Sequence, residues 1–359
     1  MKIASNKSVA FVLSSLKFGG GERVVLNLAH AFKERGLQVS ILLMSYEGEF
    51  LKEACQHFNV VDLHCNKTWK LPGKLITYLL KERPDALISS FWKLNLSACL
   101  ARVIYPHVRL LLWEHAPPST IKDSPIWLYS LSASLLYPIG TKIIAVSTEV
   151  YDNIASITFG LRSRLQLIFN PIPVLAHMDG FMEIPKAARR IIWVGRMDYP
   201  KNPCLMLDAF LLLPKDKGYC LDFIGEGSMR HVLEERTIKL GLQGCIRFLG
   251  FQDNPQFWMA KSDLLVLTSE CEGLPSVLIE ALHCGISIVS TDCGGGVHDI
   301  LLDNQYGVII PKNNPYILAD TIINVLDKPF NTINQREGGE RFLPMVVANQ
   351  FLNLLGFQN

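Results

Sequence analysis

No two cysteines in this chain form a C-x-x-C pair; nine are scattered over 359 residues, an odd number. That excludes a disulfide framework and a cysteine-held zinc site as organising devices, and a reduced cytosolic compartment is the expectation. The chain also lacks an uninterrupted apolar run of membrane-spanning length. Ser124 to Thr141 carries no charge, but Pro125, Pro138 and several serines break it up, so it reads as a buried or surface-lying helix. The N-terminal MKIASNKSVAFVLSS has too short an apolar core for a secretory signal and reads as a first strand. A G-x-G-x-x-G fingerprint is missing too, which weighs against a nicotinamide dinucleotide site. Net charge is only +2. Residues 1–175, however, hold 19 Lys and Arg against 12 Asp and Glu, net +7, and the remainder is net −5. The basic half suits an anionic surface or substrate, and chance variation of solvated faces explains the asymmetry equally well.

What is present is an alternation of short apolar runs with helical periodicity. Val9 to Ser14, Gln38 to Met44, Val60 to Leu63, Asp85 to Phe91, Arg109 to Trp113 and Lys142 to Ser147 are strand candidates separated by helical patterns. Asn170-Pro171-Ile172-Pro173 ends that series, and a second one runs through Arg190 to Val194, Tyr219 to Ile224, Cys245 to Leu249, Asp263 to Thr268, Ile286 to Ser290 and Val308 to Ile310. The expectation is an α/β chain of two Rossmann-like doubly wound domains facing a central cleft, residues 1–175 and 176–339. A terminal amphipathic helix in 340–359 would pack back on one of them.

Five loops at strand ends carry the chemistry. In the most informative, Ser269 to Gly285, Gly273 permits a tight turn, Pro275 suits the first helical position and Gly285 closes the helix. Glu272 then lies before the helix and Glu280 in its second turn. They are too far apart along the axis for an acid/base couple, and read instead as two hydroxyl acceptors with a phosphate at the helix N-terminus between them. Gly19-Gly20-Gly21 is a phosphate-approach loop or a plain turn. His115, after Trp113-Glu114, is a cleft residue or a structural histidine. Arg196, after Gly195, and Lys201 grip a diphosphate or are two surface cations. Gly225 and Phe251 follow neighbouring strands and would flank a nucleobase, and Thr291 to Gly296 is a close-approach loop. Lys67, Trp69, Lys70 and Lys74 form a basic cluster with an aromatic, and Phe91-Trp92-Lys93 a second anchor. Such groups suit an anionic membrane surface, or are a solvated helix entrance. No metal-ligand cluster stands out.

Gly19-Gly20 with Glu22-Arg23, Gly195-Arg196 followed by Lys201, E-G-L-P-S-V-L-I-E-A with its Glu-x7-Glu spacing, and S-T-D-C-G-G-G together resemble glycosyltransferase family 4, retaining enzymes of the GT-B architecture. The resemblance implies that Arg196 and Lys201 hold a donor diphosphate and Glu280 the ribose. Glu272 and the amides of Gly273, Leu274 and Ser276 would hold the donor sugar, Gly20 would admit the phosphates, His115 would touch the sugar, and Phe251 with Gly225 would meet the base. It further implies no cofactor, no metal and no nucleic-acid partner. The donor would be a UDP-hexose or UDP-N-acetylhexosamine. The acceptor would be a saccharide on polyprenyl diphosphate in bacterial surface-glycan synthesis (O-antigen, capsule or protein glycan), handled at the cytoplasmic face of the membrane. One departure is Asp299, after His298, where relatives often carry Glu. An epimerase of the same architecture and a non-catalytic nucleotide-sugar binder are the competing functions.

Overall fold

The computed structural model describes residues 7–17, 19–118, 125–174 and 189–357. The chain divides into two compact units, Met1–Ile172 with Phe342–Asn359, and Pro173–Arg341. It crosses between them at 172/173 and again at 341/342, where the sequence reading drew boundaries at 175 and 339.

The first unit runs β1 (Ser8–Leu13), α1 (Gly20–Glu34), β2 (Gln38–Leu43), α2 (Leu51–His57), β3 (Asn59–Asp62), α3 (Leu71–Glu82), β4 (Ala86–Ser90), α4 (Trp92–Ile104), β5 (Arg109–Glu114), α5 (Ile126–Leu136), β6 (Lys142–Ala145), α6 (Thr148–Ile157) and β7 (Leu165–Leu167). Its sheet has the order β3-β2-β1-β4-β5-β6-β7, and every pairing is parallel. Parallel strands covered on both faces need apolar side chains in both directions, which is why Ala10-Phe11-Val12-Leu13 and Leu110-Leu111-Leu112-Trp113 are buried without alternation. β7, three residues long, carries too little pattern to be read from the sequence.

The second unit continues with β8 (Arg189–Val194), α7 (Pro203–Leu211), β9 (Tyr219–Ile224), α8 (Arg230–Lys239), β10 (Ile246–Gly250), α9 (Pro255–Met259), β11 (Leu264–Leu267), α10 (Ser276–Cys284), β12 (Ser287–Thr291), α11 (Val297–Leu301), β13 (Val308–Ile310), α12 (Pro315–Asp327) and α13 (Thr332–Glu340). Its six strands, again all parallel, take the order β10-β9-β8-β11-β12-β13. Charges inside these strands are mutually neutralised. Asp222, 1% exposed, accepts from Arg190 at 2.9 Å and from both Nε and Nη2 of Arg247 at 2.7 Å, a ladder across β8, β9 and β10. The last helix, α14 (Pro344–Leu354), belongs to the first unit: Phe351 packs edge-on against Phe32 of α1 and Trp113 of β5.

In each sheet the chain reverses its direction of travel across the strands once, between β1 and β4 and between β8 and β11. Loops leaving the carboxyl ends on either side of such a switch point diverge and leave a crevice.

Two local expectations change. Pro275 precedes helix α10 as its N-cap, with ψ at 93°, and Ser276 is the first helical residue. The three glycines are not a free loop either: Gly19 is the extended N-cap of α1, and Gly20 and Gly21 form its first turn.

Candidate active site

In the second unit, strand order brings together motifs far apart in sequence. The carboxyl ends of β10, β9, β8, β11 and β12 stand side by side and carry Phe251, Gly225, Arg196, Glu272 and the 292–296 loop. At the switch point, the β8 loop and the β11 loop are stitched together from below. Thr268 Oγ1 accepts from buried Trp193 Nε1 at 2.9 Å and turns towards the carbonyls of Lys201 (3.0 Å) and Asn202 (2.9 Å). The Glu270 amide donates to Pro200 O at 2.8 Å, and Asn202 Nδ2 to the Glu270 carboxylate at 2.9 Å. Asn202 adopts left-handed backbone and also caps α7.

This brace fixes Lys201. Its ammonium forms a short charged hydrogen bond with Glu272, which also accepts from Ser269 Oγ at 2.6 Å. The pair is mostly covered, Lys201 27% and Glu272 13% exposed in their side chains, so water screens it weakly. The charge of Lys201 also acts on Glu280. Burial is the largest influence there and pushes that carboxyl up to about 6, against the downward pull of the Ser276 hydrogen bond and of Lys201. Lys201 thus bonds one glutamate and acts electrostatically on the other. In the first turn of α10, Leu278 N donates to Pro275 O at 3.1 Å, while the amides of Ser276 and Val277 open the helix, whose positive end they mark.

The glycine loop after β12 closes against this group. The Glu272 amide donates to Cys293 O at 3.3 Å, and Gly295 has φ +62°; a Cβ on it would lie 2.3 Å from Glu272 O. Only glycine permits that approach. Asp299 lies in the first turn of α11 beside His298, whose ring bridges Asp303 (2.8 Å) and Asp292 (3.1 Å). The Asp303 hydrogen bond is the larger of the influences raising the His298 pKa.

Other expected residues stand further out. Arg196 is 81% exposed in its side chain and pairs with Asp198 at 3.0 Å, which in turn accepts from the Ser228 amide. The Gly225 amide donates to Gly250 O at 2.8 Å, joining the β9 and β10 ends, and Phe251 is 58% exposed. Gly273 and Leu274 lie in the half-covered turn before α10.

The first unit's switch point is aromatic. Gly20 is open: beyond its chain neighbours and its own helix backbone, a Cβ there would meet no atom of the described residues within 4 Å. Gly21 is closed, because a Cβ would sit 2.6 Å from Phe91 Cζ. Phe91 itself has φ +73°, a strained conformation for a bulky side chain, anchored by its amide on Trp113 O. Its ring lies 4.9 Å from that of His115, and the ring of Trp113 lies 4.6 Å from it. Both imidazole nitrogens are covered and, among the described residues, without a hydrogen-bond partner, and burial pushes the His115 pKa down to about 3. The ring is neutral at ordinary pH, able to donate one hydrogen bond and accept another. Beneath it, buried Glu114 accepts from Tyr137 OH and from Asn95 Nδ2 (2.9 Å); burial pushes its carboxyl up to about 7.

Sequence reasoning missed Phe91 as a neighbour of His115, since nothing in a sequence announces a positive φ at phenylalanine. It also missed the Trp193–Thr268 brace and the Glu114 network, whose members are polar residues inside apolar runs. That signal was visible at Glu114 and Thr268. Trp92, expected as a surface anchor, is 6% exposed; its indole donates to Ser132 Oγ at 3.1 Å beneath α5. Trp69 is 73% exposed with the Lys70 ammonium 5.3 Å over its ring, and Lys67 and Lys74 are exposed beside it.

Two families match the two halves: Glycosyltransferase Family 4 over residues 18–174 and Glycosyl transferases group 1 over residues 180–340. A similar curated protein is the Campylobacter jejuni GalNAc-alpha-(1->4)-GalNAc-alpha-(1->3)-diNAcBac-PP-undecaprenol alpha-1,4-N-acetyl-D-galactosaminyltransferase, 27% identical over 334 residues, 89% of each chain. The Salmonella typhimurium lipopolysaccharide 1,6-galactosyltransferase is 23% identical over 82% of each. Among solved structures, Anabaena HepE in complex with UDP superposes with a TM-score of 0.82 at 19% identity, covering 98% of this chain and 99% of its own, a likeness of fold.

Proposed function

This chain belongs to the retaining glycosyltransferases of family 4, with the GT-B fold, and from that premise we propose its donor, acceptor and working residues. The donor is a UDP-hexose or UDP-N-acetylhexosamine, and the acceptor a saccharide on polyprenyl diphosphate, in the assembly of a bacterial surface glycan at the cytoplasmic face of the membrane. The Campylobacter relative's N-acetylgalactosamine and undecaprenyl diphosphate support both choices, as does the Salmonella galactosyltransferase for surface glycans.

One observation carries the assignment of roles: at the β8/β11 switch point Lys201 bonds Glu272, and its charge also acts on Glu280 of α10. A nucleotide sugar is a sugar, a dianionic diphosphate and a ribose in a row. Glu272 matches the sugar hydroxyls, Lys201 with Arg196 and the helix end the diphosphate, and Glu280 the ribose. In the structure Lys201 satisfies Glu272, so a diphosphate would compete for an ammonium already positioned and partly desolvated.

In the transfer step, the bond from the anomeric carbon to the diphosphate oxygen breaks and the acceptor oxygen bonds on the same face. The acceptor's proton passes to the leaving phosphate oxygen. Charge grows on the diphosphate as the bond breaks, so Lys201, Arg196 and the α10 dipole act more strongly in the transition state than before it, which is the condition for acceleration. His115, neutral and with both nitrogens unbonded, offers the sugar a hydrogen bond without adding a charge that would oppose the cationic sugar centre.

Titration calorimetry against UDP-, GDP- and ADP-sugars tests the donor. Tight binding confined to UDP compounds supports the reading. Preference for another base, or turnover of UDP-sugar to its epimer without any acceptor, overturns it.

A further inference from the structure

We propose that the outer face of α5 is a docking surface for an anionic bilayer, a partner that rests on the lipid-linked acceptor put forward above. From Pro125 to Thr141 the chain has no charged residue, and α5 buries only Tyr129 and Ala133. Trp92 supports it from beneath, its ring 5.5 Å from that of Tyr129. The opposite stripe, Trp127, Leu131 and Leu135, is spaced i, i+4, i+8 on one helix face, yet is 63%, 53% and 67% exposed. Phe159, 84% exposed, is brought to the same face because its amide donates to Ser134 Oγ at 3.1 Å. Large apolar groups gathered in this way on a surface mark a partner, whereas scattered ones need none.

Charge identifies the partner. Arg164, whose Nη1 donates to Gly140 O at 3.0 Å, and Lys142, whose Nζ donates to Ser163 O at 3.3 Å, border the C-terminal end of α5 together with exposed Arg162. Between residues 124 and 148 there is no Asp or Glu. An apolar stripe with a tryptophan at one end and cations without acids at the other matches an anionic lipid interface. A second copy of the chain is the competing occupant, and the vesicle and light-scattering arms of the test below separate the two. The helix has eleven residues, and no helix of the described residues is long and apolar enough to cross a membrane, so α5 would lie in the interface plane. α5 is the next helix after β5, whose carboxyl end bears His115, so docking here brings the lipid to the element that carries the reactive edge of this unit.

Flotation of the full chain with phosphatidylglycerol/phosphatidylethanolamine vesicles, set against phosphatidylcholine vesicles, tests the surface. The wild type should bind the anionic vesicles, and the Leu131→Glu/Leu135→Glu variant should lose about tenfold or more of that affinity, with UDP affinity and circular dichroism unchanged. Equal binding by wild type and variant overturns the proposal. So does a wild-type dimer, seen by light scattering, that the variant dissolves without any vesicle binding by either. Vesicle binding by a chain that glycosylates only water-soluble saccharides would break the acceptor reading and leave the surface standing.

Discussion

The two units use one architecture, a parallel sheet with a switch point, to make two unlike edges. The edge of the second unit is polar and interlocked: Lys201 and Ser269 both donate to Glu272, Gly295 closes on Glu272, and Thr268 pins the strands beneath. The edge of the first unit is aromatic and under-bonded. Phe91 and Trp113 enclose a histidine with no partner, above a carboxyl at about 7. A donor diphosphate is always the same dianion, and fixed charge in a rigid frame suits it. Aromatic walls and a neutral imidazole suit hydroxyl groups, the role proposed above for His115. The outer surfaces differ too, since the bare apolar stripe of α5 lies on the net-basic half.

Breaking the polar edge should have the largest effect. Lys201→Ala and Glu272→Ala should each lower transfer by ~10²-fold or more while circular dichroism stays native, since each removes a preorganised charged contact. A folded variant of either kind with near-normal transfer would remove the assigned roles. Gly20→Ala sharpens the contrast between packing and ligand approach. The new methyl meets no protein atom and alanine is the better helix former, so stability should rise by ~0.5–1 kcal/mol while transfer drops about tenfold. If stability and transfer both hold or rise, the phosphates do not approach Gly20.

A smaller effect separates the two buried carboxyls. Glu280 titrates at about 6, and as an acceptor for ribose it works best ionised. UDP-glucose affinity should therefore fall several-fold as pH drops through 6, and Glu280→Gln should flatten the profile; an unchanged slope in the variant would free Glu280 of that task. Glu114 should act on stability alone. Its pKa in the fold, about 7, lies above that of an unfolded glutamate, near ~4.3. The stability it contributes is thus complete below ~4.3 and lost as pH rises through 7. In thermal melts the wild type should lose Tm relative to Glu114→Gln between those limits, with little change in UDP affinity.

The architecture was legible because parallel strands buried on both faces write themselves as short apolar runs, and twelve of the thirteen strands among the described residues were expected within a residue or two at either end. β7 was too short to show, and the N-terminal end of α1 was hidden because glycines usually signal a loop. Trp92 looked like an anchor and is a buttress, because whether an indole faces out depends on the helix laid over it, and α5 is placed by tertiary packing.

The sequence by itself determined the two sheets, the glycine turns and the local order of Glu272, helix start and Glu280, since these depend on φ/ψ preference, period and a separation of a few residues. Tertiary structure alone decided that Lys201 bonds Glu272 while acting on Glu280, that Gly21 yields to Phe91 while Gly20 stays open, and that α5 shows Trp127, Leu131 and Leu135 to the outside. The physical reason is common to all three. Each depends on the closeness of segments tens of residues apart, which strand order and packing fix and no local preference encodes.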